Sequence, residues 1–321
     1  MAEKSLLVAG AVCAALWNAI AAGQTYPVKP VRIIVPTSAG GLNDLTTRAI
    51  TPKLQEQLGQ PVVVENRPGA DTMIGTEIAA KAPADGYTLI NVFDNFPLNQ
   101  FLVKNVPYDA VRDFTPVSLL VRGPQLIVVP AQLGVKTLAE FIQLAKSKPG
   151  ALNYATAGAG SSSHLVAELL KSTAGIELQP VHYKGGAPAV TDLLGGQVQL
   201  MIAGFGVVLP HVKSGKFVAL GVTSLARMSV VPGAPTVADT YPGFQTLSWV
   251  GMLAPAKTPG AIISRLNAEV NKTLQDGEVK SRIDALVYEP VGGSPEVFSK
   301  WLAEQTELWG RVIRERKITL D

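Results

Sequence analysis

Residues Val31–Arg48, VRIIVPTSAGGLNDLTTR, constrain the fold more than any other stretch of the chain. Val31, Ile33, Ile34 and Val35 form a short β-branched apolar run, the pattern of a strand buried on both faces. Pro36 ends it, and Thr37-Ser38-Ala39-Gly40-Gly41 follows, a loop of small residues whose backbone amides a ligand can approach closely. Asn43 or Asp44 is then a good N-cap for a helix carrying Leu45, Ala49, Ile50, Leu54 and Leu58. Strand, bare loop and helix start together aim free N–H groups and the positive end of a helix dipole at one spot. An anion can be held there, although two glycines in a βα turn are common and one such unit is weak support by itself.

The rest of the chain repeats that rhythm. Val62–Glu65 reads as a strand, Met73–Lys81 as a helix and Tyr87–Val92 as a strand, with turns at Asn66-Arg67-Pro68-Gly69 and Pro83-Ala84-Asp85-Gly86. This is the βαβ pattern of a mostly parallel sheet. Pro52 is a misfit in the first helix and predicts a kink or break. Leu119–Val121 and Leu126–Val129 read as strands separated by Gly123-Pro124, and Thr137 with Glu140 makes a capping box before Leu138, Phe141, Ile142 and Ala145. Asn153–Thr156 is then a strand, Ala157-Gly158-Ala159-Gly160-Ser161-Ser162-Ser163 a second glycine-rich loop, and the helix after it ends at Gly175. Two strand–glycine loop–helix units, one in each half, support an anion site better than either alone.

Further strands are predicted at Leu178–His182, Val198–Ile202, Phe217–Val222 and Leu247–Leu253, and helices at Ala187–Leu194 and Val207–Lys213. Pro259 and Ser294-Pro295 start the last two helices, and Trp301 and Trp309 in the final one read as packing residues. No linker composition separates the halves. The expectation is therefore two interleaved α/β lobes: residues 24–122 with 247–321 in one, and 123–246 in the other.

With a formal charge of +3 and no basic run, nucleic acid is not an expected partner, whereas small anions are compatible. Lys4 followed by the apolar Leu6–Ile20 reads as an export signal, with small-x-small cleavage at Ala19-Ile20-Ala21 or Ala21-Ala22-Gly23, so residues 1–23 are assigned to it. The alternative is a retained anchor, for which the apolar run falls short of the roughly 20 residues a membrane span needs. Cys13, the one cysteine, lies in that segment, so the mature chain has no disulfide, thiolate nucleophile or cysteine metal site. The reading is an exported, soluble bacterial protein with no metal and no cofactor. No CxxC, HExxH, P-loop or complete Gly-x-Gly-x-x-Gly occurs, and Gly-x-Ser-x-Gly is absent.

Many ordered stretches resemble the substrate-binding proteins of tripartite tricarboxylate transporters, the Bug family. They include Tyr26-Pro27-Val28-Lys29-Pro30, Gly40-Gly41 with Asp44, Gln60-Pro61-Val62-Val63-Val64-Glu65-Asn66-Arg67-Pro68-Gly69, and Ala84-Asp85-Gly86-Tyr87-Thr88-Leu89. Val106-Pro107-Tyr108-Asp109, Tyr183-Lys184-Gly185-Gly186-Ala187-Pro188-Ala189 and Asp192-Leu193-Leu194-Gly195-Gly196-Gln197 continue the series toward the C-terminus. The resemblance implies a two-lobed fold like type II periplasmic binding proteins, closing on a small aliphatic or aromatic carboxylate. It implies a periplasmic monomer serving the membrane subunits of such a transporter, and no enzyme. By the same resemblance, Thr37, Ser38, Ala39, Gly40, Gly41 and Asp44 are ligand-binding on one lobe, and Thr156, Gly158, Ser161, Ser162 and His164 on the other. The Asp94–Pro97 turn, with Asn95, and Ala203–Val207, with Phe205, would line the cleft where ligands differ. The chain departs from the family at Thr37-Ser38-Ala39, where a proline-rich run is common, at Gly69-Ala70-Asp71-Thr72, where Gly-Ala-Gly-Gly is frequent, and at Ala203, where Asp is frequent. The rivals are an exported serine-type hydrolase, which needs a histidine on Ser162 Oγ, and a two-lobed effector-binding sensor module.

Overall fold

The structure, a computed structural model, describes residues 26–315 and Ile318. The predicted export segment 1–23, Cys13 included, lies outside the described residues.

Strand β1 (Val31–Val35) buries Val31, Ile33, Ile34 and Val35 completely, as its β-branched run requires. It pairs in parallel with β2 (Val62–Asn66) and β3 (Thr88–Phe93). With β4 (Phe114–Gly123), β10 (Ser248–Pro255) and the short β11 (Glu289–Pro290) these form a six-stranded sheet in the order β11-β4-β10-β3-β1-β2. A second sheet, β7-β6-β8-β5-β9, contains β5 (Gln125–Pro130), β6 (Asn153–Thr156), β7 (Gln179–His182), β8 (Leu200–Gly204) and β9 (Phe217–Val222).

The sheets are mixed, which corrects the expectation that they are mostly parallel. The βαβ strands pair in parallel within each sheet. Strand β10, however, runs antiparallel to β3 and β4, and β5 runs antiparallel to β8 and β9. The cause is the crossing between sheets: β4 passes through Pro124 directly into β5, and the chain returns after β9 as β10. The two crossings lie side by side, with Ser248 opposite Gly123, Thr223 N donating to Gln125 O at 3.0 Å, and Thr246 N donating to Thr223 O at 3.1 Å.

Helix α1 (Leu42–Leu58) starts two residues earlier than its polar residues suggest. Gly41 is the N-cap, with extended backbone (φ −79°, ψ 167°), and Asp44 instead reaches back from the third position to accept from Gly40 N at 2.8 Å. The helix continues through Pro52, whose ring is on the exposed side, while Thr46, Ala49, Ile50, Leu54 and Leu58 are buried. The remaining helices are α2 (Met73–Ala80), α3 (Asn99–Leu102), α4 (Leu138–Ser147), α5 (Ser162–Ala174), α6 (Gly186–Leu194), α7 (Phe205–Lys213), α8 (Gly260–Gln275), α9 (Gly277–Ala285) and α10 (Pro295–Glu315). Helix α10 bridges the two cores. Phe298, Trp301 and Leu302 pack with Phe96 and Trp249 of the first, and Trp309 and Ile313 join Phe141 and Tyr154 of the second.

Candidate functional site

Between the two sheets lies a cavity of about 40 Å³, space for a few water-sized groups. Thr37, Gly41, Leu42, Asn43 and Phe93 reach it from the first sheet's side, and Ala157, Ser161, Ser162, Ser163, Gly185, Gly186 and Val207 from the second. Met201–Gly204 of β8 close its back, and Gln125 and Ser248, at the crossing strands, form its floor. Among the described residues, no charged side chain lines it.

Four helices begin at this cavity: α1 after Gly41, α5 after Ser161, α6 after Gly185 and α7 after Gly204. None of these four N-cap residues uses its side chain to cap the helix. Away from the cleft the same chain caps conventionally: Thr137 Oγ1 accepts from Glu140 N at 3.1 Å before α4, and Asp276 accepts from Glu278 N and Val279 N before α9. Ser161 could cap α5, yet its hydroxyl donates to Gly158 O at 2.6 Å. The first-turn N–H groups of an α-helix have no intrahelical acceptor. Four helix starts, with four dipole ends, converge on one small uncharged space, a geometry suited to an anion; of their first-turn amides, His164 N of α5 is taken by Ser161 O (2.9 Å) and Gly206 N of α7 by Leu286 O (3.2 Å).

The loops that carry these ends touch. Ser38 donates from N (2.9 Å) and from Oγ (2.8 Å) to Lys184 O. A β-carbon added at Gly41 would lie 3.4 Å from Gly186 N, and one at Gly185, where φ is +134°, 3.2 Å from Ser38 N. Glycine is thus what lets the two backbones meet here. Gly185-Gly186 was not among the sequence candidates. Its signal was available, since Gly-Gly before a helix repeats the pattern of Gly40-Gly41.

A hydrogen-bonded ladder runs beneath the cavity. Gln125 Nε2 donates to Ser162 Oγ (3.1 Å), Ser162 Oγ to Ser248 Oγ (3.3 Å), and Ser248 Oγ to Asp94 Oδ2 (2.9 Å). Asp94 therefore stands one residue behind the floor. Burial pushes its carboxyl up to about 6, against the opposing effect of the Ser162 and Ser248 hydroxyls. Ser162 Oγ has Gln125 and Ser248 as partners and no histidine, so the arrangement a serine hydrolase requires is not present at this serine. Thr37 Oγ1, Asn43 Oδ1 and Gln125 Oε1 are buried without protein partners and supply polar capacity at the cavity wall.

The other sequence candidates fall into three places. Ala203 lines the cavity, while Ser38, Ala39 and Gly40 form the rim, Ala39 and Gly40 being exposed. Asp44 faces away from the cavity. Burial opposes its ionisation, but Arg48, the Gly40 amide and Asn66 hold its carboxyl below the usual carboxylate range. Thr156, Gly158 and His164 support the second glycine loop from behind: Gly158 N donates to Thr156 Oγ1 (3.2 Å) and Gly160 N to His164 Nδ1 (3.1 Å). Burial, followed by the neighbouring His182, draws the His164 imidazole down to about 4, so it is a neutral acceptor. Asn95 is fully buried and holds the 70–72 turn, and Phe205 is fully buried in the second core. A second chamber of about 200 Å³ adjoins the first, sharing Thr37 and Ala157 and lined also by Asp71, His182 and Lys184.

Residues 46–318 match the tripartite tricarboxylate transporter family receptor, TctC. The chain belongs to this family. The UPF0065 protein in the tcbD-tcbE intergenic region of Pseudomonas sp. (strain P51) is 38% identical over 297 residues, 92% of this chain and 88% of that protein. Among solved structures, the periplasmic binding protein BugD superposes with a TM-score of 0.88 at 33% identity, covering 91% of this chain and 99% of that one. The R. palustris protein Rpa4515 with adipate gives 0.89 at 34% identity, with 92% and 100% coverage. MatC from Rhodopseudomonas palustris with bound malate gives 0.85 at 33%, with 90% and 100%. The TctC-type receptors are solute-binding proteins, and the two-lobed fold described above is theirs. No helix among the described residues is long and apolar enough to cross a membrane.

Proposed function

We propose that this TctC-type receptor captures a small carboxylate in the periplasm and delivers it to the membrane subunits of a tripartite transporter. In this reading residues 24–122 with 247–321 form one lobe and 123–246 the other, and the monomer closes on its ligand about the crossings at Pro124 and Leu247. The observation that carries it is the convergence of four side-chain-uncapped helix N-termini on one uncharged cavity. A hydrogen bond to a charged acceptor contributes about 1.5–3 kcal/mol net. Three to five of them, less the ordering costs of association, reach the roughly −8 kcal/mol of micromolar binding. The adipate and malate held by two similar receptors support a carboxylate as the guest.

The test is a thermal-shift and calorimetric screen of the mature chain with aliphatic and aromatic acids, each beside its primary amide. Acids are expected to raise the melting temperature and bind at micromolar concentration, and amides to do neither. Amides binding as well as acids would refute the dipole argument.

A further inference from the structure

The chamber beside the ligand cavity is crossed by one carboxylate. Asp71 belongs to the turn before α2, on the first sheet's side, and its Oδ1 accepts from Ala159 N of the second glycine loop at 2.9 Å. The backbone that places it is unusual. Ala70, Asp71 and Thr72 have φ of 45°, 49° and 76°, three successive left-handed residues of which none is glycine. Two fully buried asparagines hold the turn: Asn95 Nδ2 and Asn99 Nδ2 donate to Asp71 O at 2.9 and 3.1 Å, and Asn95 Nδ2 also donates to Thr72 Oγ1 at 3.1 Å. Strain of this kind persists only where its surroundings over-determine it. Here the result is a protein carboxylate already seated on an amide of the loop that opens into the cleft.

We infer that Asp71 sets the charge class of the ligand, admitting a monocarboxylate and disfavouring a second carboxylate at the far end of the same molecule. The inference rests on the carboxylate reading above and refines it. A dicarboxylate whose first group sits among the helix N-termini would extend its second past Thr37 and Ala157 into the neighbouring chamber. There it meets Asp71 as a like charge, on an amide whose hydrogen is already used. The chamber's cationic candidates compensate poorly: Lys184 is exposed, so solvent screens it, and the His182 imidazole, engaged at Nδ1 by Thr156 Oγ1 (2.8 Å), is drawn below its ordinary value by desolvation. Specificity then comes from a repulsive element as much as an attractive one.

The experiment is calorimetry on the mature wild-type chain, Asp71→Gly and Asp71→Asn, with matched pairs of acids: hexanoate and adipate, butyrate and succinate, propionate and malonate. Glycine adopts the left-handed backbone without strain, so Asp71→Gly is expected to fold, as circular dichroism will check. The wild type is expected to favour the monocarboxylate of at least one pair about tenfold or more, the scale of a like-charge contact in a partly buried site. Asp71→Gly should reduce that preference by about tenfold, and Asp71→Asn, which removes the charge while keeping an acceptor for Ala159, should do so as well. A purely structural Asp71 would weaken both acids equally; an unchanged ratio in both variants overturns the inference while leaving the carboxylate reading intact. Absence of binding by every acid to all three proteins would instead remove the carboxylate reading itself.

Discussion

Asp94 offers the most quantitative test of the cleft's construction. Its carboxyl is 3% exposed, receives Ser248 Oγ at 2.9 Å on Oδ2, and has no partner on Oδ1. Burial raises it to about 6 from the ordinary aspartate value of 3.8. Between those two values the folded chain keeps a proton that the unfolded chain has lost, so stability falls as pH rises through the interval and is level above it. The interval from 3.8 to about 6 corresponds to about 3 kcal/mol over the whole titration, of which about 2 kcal/mol is lost between pH 4 and pH 7. Asp94→Asn preserves the acceptor for Ser248 and does not titrate. The assay is urea unfolding of both proteins by tryptophan fluorescence at several values from about pH 4 to 7, taken as the difference so that every other titration cancels. That difference is expected to move by about 2 kcal/mol in favour of the variant over this range. A difference constant to within about 1 kcal/mol across the range would show that Asp94 ionises as freely as an exposed aspartate, and the buried ladder would have to be redrawn.

Other substitutions separate the cavity from its supports. Gly41→Ala is tolerated by its φ of −79° but sets a methyl 3.4 Å from Gly186 N; calorimetry should show carboxylate affinity down about tenfold with the melting temperature unchanged. Gly160→Ala combines a φ of +67° with a β-carbon that would overlap Leu102 Cδ1, and thermal unfolding should show a loss of about 1–3 kcal/mol. Ser162→Ala should weaken binding without unfolding, because its hydroxyl lies at the cavity. His164→Ala should lower stability and affinity together, because its Nδ1 holds Gly160 N. Equal melting temperatures for these two variants would refute the distinction between wall and support.

Much of the local structure was legible because glycine and β-branched residues act locally. Val31–Val35, Asn153–Thr156 and Phe217–Val222 are strands where their apolar runs place them, and both glycine loops open onto one cavity. Strand direction was not legible. Whether β10 runs with or against β3 depends on how the chain returns from the other lobe, and no residue of Ser248–Pro255 records that. Helix α9 has no counterpart in the sequence analysis, because Asp276 caps it directly at the end of α8 with no linker to mark a new start. The Asp44 expectation missed because Gly41, with no polar side chain, can serve as N-cap, and Asn43 is left free to donate to Asn91 O at 2.7 Å. Asp71 is the deepest case: its importance depends on a left-handed backbone and a contact 88 residues away, neither of which composition encodes.

If the lobes close on a carboxylate as proposed, the glycine caps bear on how that closure is controlled. In an open cleft a glycine N-cap costs only a few tenths of a kcal/mol relative to serine or asparagine, since water reaches the first-turn amides. Closure removes that water, and a buried donor without an acceptor costs about 1–3 kcal/mol. Three of the four helix ends at the cavity have glycine at this position, and the fourth, Ser161, spends its hydroxyl elsewhere. On that reading, closing on nothing is penalised at every amide left without an acceptor, and closing on a carboxylate, whose two oxygens accept from several amides, reverses those penalties. A side-chain cap at any of these ends would satisfy its amide permanently and weaken the link between ligand and closure. On the proposed reading, the uncapped ends would serve two roles at once, as the binding groups and as the reason the lobes wait for a ligand. An arginine clamp would bind an acid as tightly but could not provide the second role, because an exposed guanidinium in the open cleft remains well solvated and leaves the backbone amides of the closed form no better satisfied.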